Sequence, residues 1–269
     1  MLDAGHSLYK YTSAAYAESI LTEQYLWFSH VDKLNDPLEC NIADFHYSTK
    51  RYMEDRAAYF QRRAAAHGFG SRGGPPNHFF DPIEGHGNAA GYIREQITQL
   101  EAQYHRYTAQ RRRLYVLSLA ETNLSPAMWS HYGDSFKGVC LKIDVHAMDR
   151  ALGACPYPWK RFAVHYTVER PRLPYQLSAD VDILIAHKHP DWSYEREIRY
   201  VVEIDPAEVG NAAGLRVPIG DAITEVQVAD DTDKLIGSRV LAILGDERVR
   251  LITKSRRGWL EERPYRDGF

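Results

Sequence analysis

The sequence predicts an α+β fold with a helical insertion at about residues 47–113. Two observations favour this fold. Short segments with β-type patterning recur on both sides of the insertion, and helices connect some of them. Hydrophobic residues occupy 44% and charged residues 26% of the 269 positions, as in ordinary globular proteins. We expect one α+β domain spanning residues 1–269, because the order of the motifs described below would bring residues from the first twelve and from beyond position 190 into the same cleft.

Charge and composition exclude several classes of protein. A net charge of −3 argues against a protein whose whole surface binds nucleic acid. No stretch approaches the roughly 18 apolar residues of a membrane span, and Met1–Lys10 lacks the apolar core of a secretory signal. We therefore expect a cytoplasmic protein with no membrane partner. Its three cysteines, Cys40, Cys140 and Cys155, form no paired framework and are expected to be reduced thiols.

The first forty residues are expected to form a strand, a helix, a strand and a turn. Leu8–Tyr11 is a short β-type run, after which Thr12 or Ser13 caps a helix. Tyr25–Ser29 again has strand character, and Asn35 to Pro37 is a turn signature.

The insertion is predicted to contain two helices, from Tyr47 to His67 and from Tyr92 to Arg112. Between them, Gly68–Gly91 is rich in glycine, proline and histidine. Loops longer than about 15 residues are usually functional or disordered, so this loop is interpreted as a lid or a mobile excursion.

Strand patterning returns at Leu114–Leu119, and Pro126 stands at the favoured first position of a helix over Ser125–Tyr132. Gly138–Val145 alternates strictly between apolar and other residues, which predicts a half-buried strand that includes Val145. The remaining predicted elements are strands at Phe162–Thr167, Glu197–Ile204, Leu215–Val217, Ile223–Val228 and Val240–Leu244 and helices at Ala179–His187 and Asp231–Gly237.

The histidines do not predict a metal site. His187 and His189 lie one residue apart and His165 lies upstream, but no carboxylate or cysteine stands at a ligand-like spacing in a regular element. The sequence also lacks the phosphate-loop, GxGxxG, HExxH and GxSxG motifs. We expect no metal.

The segment Trp192–Tyr200 concentrates charge at the start of a strand that otherwise has a buried pattern. Alternation places Glu195, Glu197 and Arg199 on one face of this strand. Burying two carboxylates and a guanidinium is costly. Two interpretations stay open: a functional site, and a surface ion-pair ladder with Arg196 and Arg199.

Five short motifs follow one another along roughly residues 8 to 205: Leu8–Tyr11, Leu34–Pro37, Met128–Tyr132, Lys137–Val139 and Trp192–Arg199. As a set they resemble the sequential motifs of a bacterial family, domain-of-unknown-function family 2971. This resemblance indicates a family but no activity.

The order of the motifs is also distantly similar to the ADP-ribosyltransferase fold. This similarity implies a mixed, mainly antiparallel β-sheet that is split into two packed halves and bears three separated elements. Lys10, Tyr11 and Thr12 match the first element, a strand that ends in polar residues before a helix. Ser118 matches the strand serine of the second, and Trp129–Tyr132 matches the aromatic helix that follows it.

The third element of that fold bears a Glu-x-Glu sequence, matched here by Glu195 and Glu197. The resemblance implies cleavage of the nicotinamide–ribose bond of NAD, with Glu197 holding the ribose 2′-hydroxyl and stabilising positive charge. Glu195 would orient or deprotonate the acceptor, and Tyr11 or Tyr132 would stack on nicotinamide. The remaining residues of the implied NAD-binding set are Lys10, Thr12, Ser118, Trp129, His131 and Arg199.

The leading prediction is an ADP-ribosyltransferase-like enzyme, a glycosyltransferase that uses NAD as substrate without a metal. Its acceptor would be macromolecular, a nucleic acid (RNA or DNA) or a protein, and its role that of a toxin, effector or anti-phage defence protein. A local basic surface would approach a nucleic-acid acceptor. The arginines of that surface are Arg51, Arg56, Arg62, Arg63 and Arg111–Arg113.

Two other classes stay open. One is a nuclease or other hydrolase that uses His131 with Glu195 or Glu197 as acid and base. The other is a non-catalytic binding or regulatory protein, in which the two glutamates only pair with arginines.

Overall fold

The computed structural model of the protein describes residues 6–36, 38–41, 50–55, 57–58, 89–169, 182, 185–210, 212–255 and 259–265. Its strands are β1 (Ser7–Thr12), β2 (Tyr25–His30), β3 (Leu114–Ala120), β4 (Val139–Asp144), β5 (Trp159–Ala163), β6 (His165–Tyr166), β7 (His187–Lys188), β8 (Glu197–Glu203), β9 (Gly214–Pro218), β10 (Ile223–Ala229), β11 (Val249–Lys254) and β12 (Leu260–Pro264). Its α-helices are α1 (Ala14–Glu23), α2 (Ala89–Arg111), α3 (Pro126–His131), α4 (Val145–Gly153), α5 (Pro206–Val209) and α6 (Lys234–Leu244). Short 3-10 helices form at Val31–Lys33, Pro190–Glu195 and Asp246–Arg248.

Ten of these strands form one sheet that is split along β3. One half has the strand order β12-β11-β10-β4-β1, and the other contains β9, β2, β3, β8 and β5. The two halves join where Tyr9 of β1 pairs with Ala120 of β3, while Val116 and Tyr115 of β3 pair with β2. Among the described strands of this sheet, only β10 and β11 pair in parallel. The predicted α+β class with a split, mainly antiparallel sheet is confirmed.

The sheet has an apolar core on one face and an aromatic cluster on the other. The larger core includes Leu8, Leu117 and Leu141, whose side chains are fully buried. The second cluster surrounds Trp129, which is 0% exposed and donates its indole N–H to Asn123 O at 2.7 Å. Tyr11 packs edge-on against the Trp129 ring. Residues of β1 and α3 are therefore joined through this cluster.

The strand predicted over Gly138–Val145 forms, with two differences. It ends at Asp144, because the Asp144 carboxylate accepts the backbone N–H of Ala147 at 2.7 Å and so caps α4, whose first residue is Val145. The strand is also buried on both faces, because Cys140 packs into the aromatic cluster. A predicted polar face is therefore partly core.

The strand predicted at Val240–Leu244 is wrong, because these residues belong to α6. Asp233 caps this helix by accepting the N–H of Leu235 at 2.8 Å. Ile236, Val240 and Leu244, spaced four residues apart, pack against the larger core, and that spacing is helical rather than alternating. His187 likewise begins β7 and does not end the predicted helix Ala179–His187, most of which lies outside the described residues.

The chain divides into two compact units, one formed by Met1–Glu39, Arg112–Pro171 and Ile185–Phe269 and the other by Cys40–Arg111 and Arg172–Leu184. The first unit holds the sheet. In the second unit, α2 confirms the helix that was predicted from Tyr92. Residues 50–55 and 57–58 are also helical. Residues 59–88, which include most of the predicted loop, lie outside the described residues. That all 269 residues form one domain stays a prediction. None of the helices in the described ranges has the length and hydropathy needed to cross a membrane.

We expect Gly138→Ala to destabilise the protein by about 1–3 kcal/mol. A Cβ atom at this position would press against the backbone oxygens of Thr12 and Gly133, neither of which is a flexible side-chain end. Chemical denaturation measures the loss. The matched control is Gly153→Ala at the end of α4, where no atom lies within 4 Å of the added Cβ. Equal stability of the two variants would contradict this prediction.

Candidate active site: a buried cluster of carboxylates and cations

Five charged side chains meet beside β8 in the first unit. They are Glu39, Lys188, Glu195, Glu197 and Arg199, here called the charged cluster, and each is at most 6% exposed. Burying charges is costly unless each is paired. The surface ion-pair interpretation is wrong for Glu195, Glu197 and Arg199; only Arg196 fits it, as an exposed side chain that contacts Glu121.

Glu195 and Glu197 do not share a strand. Glu195 ends the 3-10 helix Pro190–Glu195, Arg196 adopts a left-handed conformation with φ of 45°, and β8 begins only at Glu197. The predicted strand alternation from Glu195 is therefore wrong. The left-handed residue turns the chain so that both carboxylates still face the Lys188 ammonium, at 2.6 Å from Glu195 and 3.4 Å from Glu197.

Glu197 is held from several directions. Arg199, two residues along β8, donates Nε to Oε1 at 2.8 Å and Nη2 to Oε2 at 2.9 Å. Ser118, on the neighbouring strand β3, also interacts with this carboxylate. Burial raises the pKa of Glu197 to about 7, even though Lys188 and Ser118 act to lower it. Glu197 therefore changes its protonation state near neutral pH.

Glu195 accepts two short hydrogen bonds. Tyr132, just after α3, donates its hydroxyl to Oε1 at 2.5 Å, and Lys188 donates to Oε2 at 2.6 Å. Asn35 in turn donates Nδ2 to the Tyr132 hydroxyl oxygen at 2.6 Å. A carboxylate has about four lone-pair sites, so Glu195 retains acceptor capacity.

The two cations bind the cluster together. Burial acts to lower the pKa of Lys188, but Glu197 and Glu195 raise it above its ordinary value. Arg199 donates to the backbone oxygen of Ile185 and forms an ion pair with Glu39, which also lies 3.8 Å from Lys188. Burial lowers the pKa of Arg199 to about 9 against the opposing effect of Asp36, so the guanidinium stays charged at neutral pH.

The predicted first element contributes one residue to this site. Lys10 donates to the backbone oxygen of Ser118 at 3.1 Å, and both Glu197 and Glu195 interact with its charge. Burial lowers the pKa of Lys10. Tyr11 instead donates to Thr122 O at 2.8 Å and packs against Trp129, so these two aromatic residues form core. Thr12 pairs with Val139 in the sheet.

His131 lies at the exposed side of α3. Its ring is 5.7 Å from that of Tyr194, and its Nδ1 is 3.4 Å from the Tyr194 hydroxyl. Trp192 lies next along this row of rings, with its centroid 6.2 Å from that of Tyr194. The Lys188 ammonium is 4.7 Å from the Trp192 ring, so the aromatic row borders the charged cluster.

Of the sequence-predicted residues, the structure thus brings together Lys10, Ser118, Tyr132, Glu195, Glu197 and Arg199. Sequence reasoning missed Lys188 and Glu39. Glu39 follows the Leu34–Pro37 motif and Lys188 stands between two histidines, but no local pattern marks either as buried. Within the described ranges, no group of three or more histidine, cysteine, aspartate or glutamate side chains is placed to hold a metal ion.

The predicted basic surface is only partly described. Arg113 forms ion pairs with Glu203 and Asp205, so its charge is already paired. Arg56, Arg62 and Arg63 lie outside the described residues.

Comparison with known proteins confirms the resemblance to family 2971 over part of the chain. Residues 128–200, which include Tyr132, Lys188 and the Glu195–Arg199 segment, match the model of a family described as protein of unknown function, DUF2971. Among solved structures, the chain is similar to Thermus sp. 2.9 DarT in complex with ADP-ribosylated ssDNA, with 14% sequence identity, coverage of 93% of this chain and 95% of that one, and a TM-score of 0.36. No curated protein matches the sequence.

We expect Arg199→Met to lower the free energy of unfolding by about 3–5 kcal/mol, because it leaves Glu39 and Glu197 buried with one cation fewer. Denaturant titration measures this change. The control Arg239→Met removes an ion pair with Glu18 in which both side chains are 56% exposed, and should change stability by less than about 0.5 kcal/mol. Similar losses in the two variants would contradict the pairing argument.

The raised pKa of Glu197 predicts a pH dependence of stability. Between the unfolded value of 4.5 and the folded value of about 7, the folded state binds more protons at this site than the unfolded state. The contribution of Glu197 to stability therefore increases as pH falls through this window.

We expect the unfolding free energy of the wild type, relative to Glu197→Gln, to rise by about 2–3 kcal/mol between pH 8 and pH 5. Denaturation curves at several pH values provide the measurement. Glu203→Gln, at the far end of β8 in a surface ion pair with Arg113, serves as control. A pH-independent difference between wild type and Glu197→Gln would rule out the shifted pKa.

Proposed function

We propose that this protein is an NAD-dependent ADP-ribosyltransferase that modifies a macromolecular acceptor. The observation that supports this proposal most directly is the convergence of two buried carboxylates, Glu195 and Glu197, on Lys188, in a site where Glu197 titrates near neutral pH. Perturbed acids of this kind cluster at functional sites. The order of the sequence motifs, which resembles that of ADP-ribosyltransferases, supplies the reaction class.

The proposed reaction begins with heterolysis of the bond between ribose C1′ and the nicotinamide nitrogen. The bonding electron pair leaves with nicotinamide, whose charge is thereby neutralised, and positive charge develops on the ribose as in other glycosyl transfers. Ionised Glu197 stabilises that positive charge electrostatically and accepts a hydrogen bond from the ribose 2′-hydroxyl. The contact between Lys188 and Glu197, at 3.4 Å, is longer than the two contacts from Arg199, at 2.8 and 2.9 Å, so Lys188 is the partner that the hydroxyl would replace.

Glu195 is proposed to act on the acceptor. The nucleophilic atom of the acceptor attacks C1′, and its proton passes to Glu195, which has acceptor capacity beyond its bonds to Tyr132 and Lys188. Lys10 and Arg199 keep the site electrostatically balanced, since they place positive charge beside the two carboxylates. The two hydrogen bonds from Arg199 fix the orientation of Glu197.

The acceptor is proposed to be a nucleic acid or a protein. A role as toxin, effector or defence protein stays a prediction that rests on the resemblance.

The decisive experiment incubates the protein with NAD labelled in the adenylate half, in the presence of single-stranded DNA, RNA or a cell lysate. Nicotinamide release and label transfer are both measured. We expect Glu197→Gln to reduce both rates by at least about 100-fold relative to the wild type. A carboxyl group with a pKa of about 7 is half protonated at neutral pH, so the neutral glutamine is a tolerable replacement in the fold.

Glu203→Gln, on the same strand, is the matched control and should retain the wild-type rates. Full activity in Glu197→Gln would overturn the role of Glu197. A folded wild type that neither releases nicotinamide nor transfers label would overturn the proposed function. Degradation of the nucleic acid without NAD would favour the hydrolase alternative instead.

A further inference from the structure

We infer that Asn35 is a positioning residue that controls the protonation of Glu195 through the hydroxyl group of Tyr132. The relevance of this relay to catalysis rests on the proposed function, because Glu195 is there the group that takes the acceptor's proton. The relay itself follows from the contacts of three side chains that sequence reasoning did not connect. Asn35 lies in the loop between β2 and Glu39, and Tyr132 directly follows α3.

The direction of each hydrogen bond in the relay is fixed by proton counting. A tyrosine hydroxyl has one proton to donate and two lone pairs to accept. Tyr132 donates its one hydroxyl proton in the 2.5 Å bond to Oε1 of Glu195. The 2.6 Å contact with Asn35 must therefore be a donation from Nδ2 to the Tyr132 oxygen.

The contact with Asn35 strengthens the hydrogen bond from Tyr132 to Glu195 in two ways. The Asn35 amide occupies a lone pair of the hydroxyl oxygen, so that the O–H bond is oriented towards the carboxylate. It also polarises the hydroxyl group, because chained hydrogen bonds reinforce one another in a site of low dielectric constant. An exposed side chain thereby acts on a carboxylate that is 4% exposed.

The loop that bears Asn35 also leads to Glu39, which pairs with the cations that contact the second carboxylate, Glu197. Glu39, four residues later, pairs with Arg199 and Lys188, the two cations that contact Glu197. Asn35 is thus held at a defined distance from the charged cluster, as a positioning residue needs to be. The charged and titratable groups around Glu195 are Lys10, Tyr132, Tyr166, Lys188, Tyr194 and Glu197.

The test follows the titration of Glu195 itself, by the ¹³C NMR signal of its side-chain carboxyl carbon, assigned from its loss in Glu195→Gln. Tyr132→Phe removes one of the two hydrogen bonds to the ionised form and should move the titration midpoint up by about one pH unit. Asn35→Ala should move it up by a few tenths of a unit, on the scale of hydrogen-bond cooperativity.

Asn35→Asp separates a relay from a space-filling role. Aspartate has nearly the shape of asparagine but no N–H, so it competes with Glu195 for the single Tyr132 proton. We expect a midpoint shift at least as large as that of Tyr132→Phe. A midpoint equal to that of the wild type would overturn the inference.

The Tyr132→Phe background provides the coupling test. Without the hydroxyl group, Asn35→Ala should have no further effect on the Glu195 midpoint. An equal effect in both backgrounds would overturn the relay. Controls are Asn123→Ala, which removes an amide bond to Glu262, and Tyr200→Phe, which removes a hydroxyl bond to Asp149; both should leave the Glu195 midpoint unchanged.

This readout needs no turnover. If the wild type does not act on NAD, the proposed function fails while the titration still decides the relay. If the wild type is active, the ratio of the Asn35→Asp rate to the wild-type rate should fall as the pH is lowered through the Glu195 midpoints, because the loss caused by protonation of Glu197 is common to both proteins. A ratio that does not change with pH despite a shifted midpoint would leave the relay intact and remove Glu195 from the proposed reaction.

Discussion

The Lys188 ammonium lies between Glu195 and Glu197, and the site is organised around this buried contact. Removing an ammonium or a carboxylate from water costs several kcal/mol, so these charges can be buried only where their partners are also fixed. β7, the 3-10 helix before β8, β8 itself and the segment ending at Glu39 each contribute one or more of the charges. Their relative positions are therefore set by one electrostatic constraint.

The same burial gives the site its chemistry. A low-dielectric environment raises the pKa of Glu197 to about 7, while Arg199 and Lys188 keep its ionised form accessible. Glu195 meets the same ammonium but has different neighbours, since Tyr132 donates to it and Arg199 does not contact it. Two carboxylates that share a cation are thereby given different environments, which is a general route to distinct acid and base roles.

Several elements were predictable because their determinants are local. Adjacent residues determine the alternation of β4 and the apolar run of β8. Adjacent residues also supply the cap and the proline that begin α3. The errors have local causes too. Val145 begins a helix because Asp144 caps it, and Glu195 leaves the strand because Arg196 is left-handed. Val240–Leu244 is apolar enough for a strand, but Val240 and Leu244 pack against the larger core together with Ile236, at a spacing of four residues.

The sequence by itself determined the fold class and most of the sheet, because strand patterning is visible without coordinates, and the charges in the apolar strand β8 singled out Glu195, Glu197 and Arg199. The motif resemblance added Lys10, Ser118 and Tyr132, which the structure brings close to them. Only the tertiary structure decided that Glu39 and Lys188 join them and that Tyr11 and Trp129 are core. The reason is distance along the chain: Glu39 and Lys188 are 149 positions apart by their numbers, and pairing between buried charges depends on three-dimensional proximity, which leaves no periodic trace in the sequence.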